Sequence, residues 1–491
     1  MGSALHKAHG AEPAGQAAAG LSWVQVAPGA PYFITDQGQS WTPIGQNDAV
    51  TWPDFAGLFQ RRDRAAVDRH LAWLSAHGVT CLRFMLEYCQ TENRYLERPV
   101  GHFQPNMVRF WDDLLALCEK HSLRLLLTPY DTFWMWRRWA HHPYNQALGG
   151  PCRRRNQWLL CPATRQAIKN RLSFATARWG GSGALFAWDL WNEIHPAQAG
   201  NDTAIFHEFI SDISQHLRQE EERLHGRSHP QTVSVFGPVL GQYPSVAEVI
   251  FRHPQLDFAS THFYDKATID NPRDTVASAI CTGRLVREAL AHLDPGRPFF
   301  DSEHGPIHAF KDRKRTLPEP FDDEYFRHMQ WAHLAAGGAG GGLRWPYRQP
   351  HALPPGMRAA QRRLASFTKL IDWPTFRRRN LSAELKLSTS AVTGFACGDE
   401  AQAVVWLLRQ DQRDRQRLVP KNAPAVSVQV RVPGLGPGRY QIVCWDTRAG
   451  RPTGQLTATA AAGGLLLHLP SFVTDIALAV RPQPGPAADH S

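Results

Sequence analysis

At 491 residues, of which 43% are hydrophobic, the chain is long enough to bury a large core and to form more than one domain. Its formal net charge is +10 at pH 7, but basic and acidic residues are interspersed and no nucleic-acid-binding motif is present. Charge alone would support a nucleic-acid partner. The composition favours a solvated surface or attraction to an acidic polymer, so we expect no nucleic-acid partner.

The N-terminal region predicts a tail followed by a hairpin. Residues 1–21 are rich in Ala, Gly and His and lack an apolar core of signal-peptide length, which predicts a disordered tail. No stretch of the chain reaches the roughly 20 apolar residues of a membrane span. We therefore expect a cytoplasmic location for the chain as given, or a periplasmic or secreted one if a leader has been removed. Alternation around Pro28-Gly29 predicts a hairpin over residues 22–36.

Strand-like and helix-like segments then alternate up to about residue 372. The strand candidates are 41–46, 80–86, 123–129, 184–191, 232–236, 257–262, 298–301 and 342–345. The helical periods include 65–76, 107–120, 164–179, 205–224, 276–293, 324–336 and 357–370. This alternation predicts an α/β fold, a (β/α)8 TIM barrel over residues 22–372. An open doubly wound sheet is disfavoured because no glycine-rich phosphate loop follows the first strand.

After residue 372 the pattern changes to short strands separated by turns. The strand candidates are 403–408, 427–432, 440–445, 465–469 and 476–480, with turns at Pro433-Gly434 and Pro437-Gly438. These features predict a C-terminal all-β sandwich domain over residues 373–482 and a loose tail over 483–491.

Two segments, 188–193 and 299–305, are apolar runs that each lead into a glutamate, Glu193 and Glu303. Buried parallel strands have this pattern, and in a (β/α)8 barrel the carboxyl ends of the strands share one mouth. Two carboxylates brought together in this way are what hydrolysis of a glycosidic bond requires. The alternative is two surface glutamates that happen to follow core strands.

Other polar and aromatic residues end the predicted strands and belong to the same candidate site: Arg83, Asn192, His262, Tyr264 and Trp345. The motifs Trp191-Asn192-Glu193, Thr261-His262-Phe263-Tyr264 and Ser302-Glu303-His304-Gly305, with the closing Trp345, resemble clan A of the retaining glycoside hydrolases. Within the clan, the sequence most resembles family 5, the cellulase and β-mannanase group. It departs from the clan at His304, where an aromatic residue is common.

The resemblance implies a role for each residue of the candidate site. Glu303 would be the nucleophile and Glu193 the acid and then the base, with the anion of Glu303 keeping a proton on Glu193. Asn192 would bind the sugar 2-hydroxyl. Arg83 and Tyr264 would donate hydrogen bonds to Glu303. His262 would stand beside the acid and Trp345 would stack on the sugar. The resemblance implies no cofactor and no metal.

The predicted function is a retaining β-glycoside hydrolase acting by double displacement on a β-linked glucan, mannan or related exopolysaccharide. The partner would be an oligo- or polysaccharide. The alternative is a catalytically silent barrel that binds glycans. The aromatic and basic stretch 134–139 predicts a long loop that either supplies stacking platforms or pins itself to the barrel. If Arg137, Arg138 or Arg153 faced the cleft, an acidic glycan would be favoured. Cys152 and Cys161 are compatible with a disulfide or with two free thiols.

Overall fold

The computed structural model describes residues 20–87, 94–307, 316–348 and 351–483. The predicted tails lie outside these residues, apart from residues 20–21 and 483. Within the described ranges, no helix combines the length and apolar character needed to cross a bilayer. Cys152 and Cys161 both carry free thiols.

A small antiparallel sheet precedes the barrel and closes its lower end. It consists of Val24–Val26, Phe33–Thr35 and Ser40–Trp41, and the pairing of Val24 with Thr35 confirms the predicted hairpin. The prediction that the first barrel strand starts at Trp41 is wrong, because Trp41 pairs with Phe33 in this sheet. The Phe33 ring meets Phe186, Phe258 and Phe300 edge-on at the bottom of the barrel.

The barrel is formed by eight parallel strands, the fifth of them split in two. The strands are Gly45–Asp48, Cys81–Met85, Arg124–Thr128, Leu185–Asp189, Gln231–Thr232 with Ser234–Phe236, Ala259–Phe263, Phe299–His304 and Leu343–Arg344. The eighth strand pairs with the first. The two halves of the fifth strand pair with the fourth and the sixth, so the sheet is closed. The predicted (β/α)8 barrel is confirmed.

Helices surround the sheet; in the described part of the chain, seven of them match the predicted helical periods, and four short ones of five to seven residues were not predicted. The helices are Pro53–Phe59, Arg64–Ala76, Pro105–Lys120, Thr132–Arg137, Pro162–Trp179, Thr203–His225, Pro238–Gln242, Val246–Arg252, Thr275–His292, Glu319–Ala335 and Pro355–Thr368. Aspartate side chains cap several of them, as Asp63 does by accepting from the Ala66 N–H. Proline at the first turn starts others, such as Pro105–Lys120.

The C-terminal region is an antiparallel two-sheet structure, which confirms the predicted all-β sandwich. One sheet contains Arg379–Asn380, Val392–Gly398, Ala403–Arg409, Asp475–Pro482, Gly438–Asp446 and Arg451–Ala460 in spatial order. The other contains Lys386–Leu387, Gln429–Val432 and Leu465–His468. Apolar side chains from both sheets, including Val405 and Val430, form one core between them. The domain boundaries at residues 22, 372 and 482 remain predictions.

The barrel and the sandwich are joined by a buried ionic network and a shared apolar core. On helix Glu319–Ala335, Arg327 donates to both carboxylate oxygens of Asp475, at 2.8 and 3.0 Å. Asp475 also accepts from Trp406 Nε1 at 2.9 Å. Trp331 of the barrel helix belongs to the same apolar cluster as Phe395 and Trp406 of the sandwich.

Candidate active site

The two predicted glutamates lie together at the mouth of the barrel. Glu303 belongs to the seventh strand, whereas Glu193 follows the fourth strand in a left-handed backbone conformation with φ of 51°. Non-glycine residues rarely adopt this conformation, and it is concentrated at functional sites. The side chains of Glu193 and Glu303 are 18% and 9% exposed. One oxygen of each lies within 4.8 Å of the other and of a His262 ring nitrogen.

Glu303 is held by two hydrogen-bond donors. Arg83 Nη1 donates to Oε2 at 3.1 Å and the Tyr264 hydroxyl donates to Oε1 at 2.7 Å. Burial raises the pKa of Glu303 above its ordinary value, and the neighbouring Glu193 adds to this, while His262, Arg83 and Tyr264 oppose it. Each carboxylate oxygen therefore has a charged or polar donor that stabilises and orients the anion.

Glu193 lies in an environment that favours its protonated form. Burial raises its pKa to about 7, with a smaller contribution from Asp189, and Arg83 opposes the shift. The expectation that the anion of Glu303 is the main cause is therefore corrected, because loss of solvent comes first. Oε1 of Glu193 lies 2.9 Å from His262 Nδ1. Burial lowers the pKa of His262 to about 4, which makes the imidazole neutral near pH 7.

Arg83 connects the fourth and seventh strands from its place on the second. Its guanidinium is fully buried and donates to Asp189 Oδ2 at 2.7 Å and to Asn47 Oδ1 at 2.9 Å. It also donates to the Asn192 side-chain oxygen. A buried guanidinium requires such compensation, and Asp189 provides the opposite charge. Arg83 thus links Asn192 to Glu303.

Sequence reasoning missed four members of this site. Asp189 lies in the predicted strand 184–191 and ends the observed one, and Asn47 directly follows the predicted strand 41–46. Asp131 accepts from Asn192 Nδ2 and caps the short helix Thr132–Arg137. The Tyr347 hydroxyl lies 2.6 Å from that of Tyr264. Their polar character at the ends of strands was the available signal.

Trp345 forms part of an aromatic wall beside the carboxylates. It is 6% exposed, and its ring lies 5.0 Å from that of Trp52 in an edge-on arrangement. The same cluster contains Tyr264 and Tyr347, and Trp134 packs against it. The structure therefore brings all seven predicted side chains to one place.

The aromatic and basic stretch 134–139 divides between two roles. Trp134 and Arg138 line a pocket together with Asp131. Trp139, in contrast, packs edge-on against the buried Trp158, at 5.7 Å. The first pair borders open space, whereas Trp139 anchors the loop to the barrel.

The three arginines that would favour an acidic glycan if they faced the cleft lie in different surroundings. Arg138 lines the pocket beside two acidic residues, Asp131 and Glu87. Arg137 lies over the Phe133 and Trp134 rings and is exposed, as is Arg153. This mixture of charges gives the pocket no clear preference for an anion.

Glu193, His262 and Glu303 each offer one atom that could ligate a metal ion. The surrounding donors do not fit a cation, because Arg83 and Tyr264 already occupy the two oxygens of Glu303. A divalent ion there would also face the Arg83 guanidinium. The set is better suited to proton transfer than to metal binding.

The closed (β/α)8 barrel has the fold of solved glycoside hydrolase structures, including one of family 5. A solved family 5 structure from Bacteroides vulgatus aligns with a TM-score of 0.58 at 11% identity, covering 94% of this chain and 93% of that one. A second structure, described as a glycoside hydrolase, aligns with a TM-score of 0.56 at 12% identity, covering 94% and 97%. At such identities the likeness shows a shared fold.

Among curated proteins, the chain is similar to a probable mannan endo-1,4-beta-mannosidase F of Aspergillus flavus, at 22% identity over 178 residues. A protein of the same name from Aspergillus oryzae matches to the same extent. The matched region spans 36% of this chain and 36% of each relative. No protein-family model matches the chain.

Proposed function

We propose that this protein is a retaining glycoside hydrolase that cleaves β-linked glycans by double displacement. The observation that carries the proposal is the approach of Glu193 and Glu303 at the mouth of the barrel, with one oxygen of each within 4.8 Å of the other. Retaining enzymes hold their two carboxyl groups about 5–5.5 Å apart, whereas inverting enzymes hold them about 6.5–9.5 Å apart to admit a water. The approach favours retention.

In the first step, Glu303 attacks the anomeric carbon while protonated Glu193 gives its proton to the departing glycosidic oxygen. The bond to the leaving group breaks and a covalent glycosyl ester forms on Glu303. In the second step, ionised Glu193 takes a proton from water, whose oxygen attacks the anomeric carbon and releases Glu303. A pKa of about 7 lets Glu193 serve as acid and as base near neutral pH.

The surrounding side chains would stabilise these two steps. Arg83 and Tyr264 keep Glu303 ionised and aimed, because they donate to its two oxygens. Neutral His262 is a hydrogen-bond partner of the protonated Glu193 carboxyl group, through Nδ1. Asn192 would hydrogen-bond the sugar 2-hydroxyl, and Trp345 would stack on the apolar face of the sugar.

We further propose β-mannan as the first substrate to test. The curated relatives are named as probable mannan endo-1,4-beta-mannosidases, and this supports the choice over β-glucan. A panel of β-mannans, β-glucans, galactans and acidic exopolysaccharides, with products identified by mass spectrometry, tests the substrate and distinguishes endo from exo action.

The mechanism is tested by Glu303→Ala with an activated aryl glycoside. The variant should fold normally and lose turnover, because it has no nucleophile. Added azide should restore cleavage and yield a glycosyl azide of inverted configuration. Normal turnover without azide would remove Glu303 from its role. A wild-type chain that binds glycans but cleaves none would instead support the catalytically silent barrel.

A further inference from the structure

The strand that carries Glu303 is irregular just before that residue. Strands Ala259–Phe263 and Phe299–His304 pair in parallel, with Thr261 opposite Asp301 and the next residue, His262, opposite Glu303. Ser302 is thus an extra residue in the seventh strand. Such a bulge interrupts the ladder of main-chain hydrogen bonds and re-aims the side chains that follow it.

The side chain of Asp301 replaces the missing ladder bonds. Its Oδ1 accepts from the Glu303 N–H at 3.1 Å and from the Phe263 N–H on the neighbouring strand at 3.0 Å. One carboxyl oxygen therefore ties the main chain of Glu303 to that of the residue before Tyr264. This contact fixes the main chain of Glu303 relative to the main chain next to Tyr264, which donates a hydrogen bond to the Glu303 carboxylate.

The other oxygen of Asp301 is bound to a histidine. Oδ2 lies 2.6 Å from His304 Nδ1, and both side chains are about 1% exposed. Gly342 makes room for the pair, because a Cβ there would lie 3.1 Å from Asp301 Oδ2 and 3.3 Å from the His304 ring. Burial raises the pKa of Asp301 and lowers that of His304, which favours an uncharged pair sharing one proton.

We propose that Asp301 and His304 act as one positioning unit for the nucleophile Glu303. His304 orients the carboxyl group of Asp301, and Asp301 fixes the bulge that aims Glu303 at Arg83 and Tyr264. Neither residue touches the reacting atoms. The inference rests on the proposed function, since it concerns how that nucleophile is placed.

The test compares alanine with asparagine at both positions, using kcat and KM on an activated aryl glycoside. Asp301→Asn keeps an oxygen for the two N–H groups and offers an N–H to His304. His304→Asn keeps a polar atom near the place of Nδ1. Both asparagine variants should retain kcat within about threefold of wild type, while both alanine variants should lose about 100-fold, because the nucleophile is misplaced. KM should change by less than about threefold.

The double variant Asp301→Ala/His304→Ala shows whether the two residues act together. Its loss in kcat should equal that of Asp301→Ala alone, because His304 acts only through Asp301 and has no further effect once the Asp301 carboxyl group is absent. The proposal would be overturned if the double variant lost the product of the two single losses in kcat. It would also be overturned if the alanine variants had the kcat of the wild type, or if the asparagine variants lost as much kcat as the alanine variants. If Asp301→Ala does not fold, His304→Ala against His304→Asn provides the comparison. A wild-type chain inactive on all β-glycosides contradicts the proposed function instead.

Discussion

Replacing Glu193 by glutamine tests whether the pocket disfavours the charge of this residue. Its side chain is 18% exposed, and burial raises its pKa from 4.5 to about 7. This difference corresponds to an upper value of about 3 kcal/mol against the ionised form in the folded state, since one pKa unit is worth about 1.4 kcal/mol. Glutamine has nearly the same shape and carries no charge, so it removes this cost.

The sign of the effect depends on pH. A carboxyl group whose pKa is raised on folding leaves stability unchanged below its unfolded pKa and lowers stability as the pH rises through the folded value. Glu193→Gln should therefore match the parent protein at pH 4 and exceed its free energy of unfolding by up to about 3 kcal/mol at pH 8–9. Urea unfolding at both pH values measures this. Glu222→Gln, on the exposed side of helix Thr203–His225, is the matched control and should show little change at either pH.

The same substitution should change the pH dependence of catalysis. In the wild type, kcat/KM should fall as the pH rises through about 7, because Glu193 must be protonated to act as the acid. The residual activity of Glu193→Gln on a substrate with an activated leaving group should lack this fall. An equal stability gain at pH 4 and pH 9, or a fall in kcat/KM above pH 7 that persists in the variant, would contradict a raised pKa of Glu193.

Three further substitutions have distinct expected outcomes. Arg83→Lys keeps the positive charge but loses the planar guanidinium that donates to Asp189 and Glu303 at the same time. We expect kcat, measured by steady-state kinetics, to fall about 100-fold. Unchanged kcat would contradict this role. Tyr347→Phe removes the hydroxyl 2.6 Å from that of Tyr264 and should lower kcat about tenfold; a loss larger than that of Tyr264→Phe would point to a direct role instead. Asp475→Asn breaks a buried ion pair and should cost about 3–5 kcal/mol of unfolding free energy at pH 7. Its effect should shrink below pH 4 in urea unfolding, because Arg327 and its neighbours outweigh burial and lower the pKa of Asp475, so this stability is lost as the pH falls.

The barrel could be predicted from the sequence because buried parallel strands and amphipathic helices have different periods. The first strand was misplaced because Trp41 and Ile44 are both apolar, and periodicity cannot assign one to the small antiparallel sheet and the other to the start of the barrel. Strand Arg451–Ala460 was missed for the opposite reason. It lies at the edge of its sheet, and only Leu456, Ala458 and Ala460 in its second half face the core, so the apolar alternation is short.

The site could be predicted as far as residues that end strands, since barrel topology alone brings these together. Glu193 and Glu303 are examples, and the structure brings them together at the mouth of the barrel; their chemical roles remain proposals. Asp301 could not be identified in this way. Its importance depends on a one-residue bulge and two hydrogen bonds to the main chain, which leave no periodic signal.

The apolar core that Trp331 shares with Phe395 and Trp406 has a consequence for how this protein can be divided. Here a cut near residue 372 would expose the apolar face of helix Glu319–Ala335 to water and remove Asp475 from Arg327, which would keep only Glu324 of its own helix as a carboxylate partner. The smallest piece that keeps this helix packed therefore includes both parts.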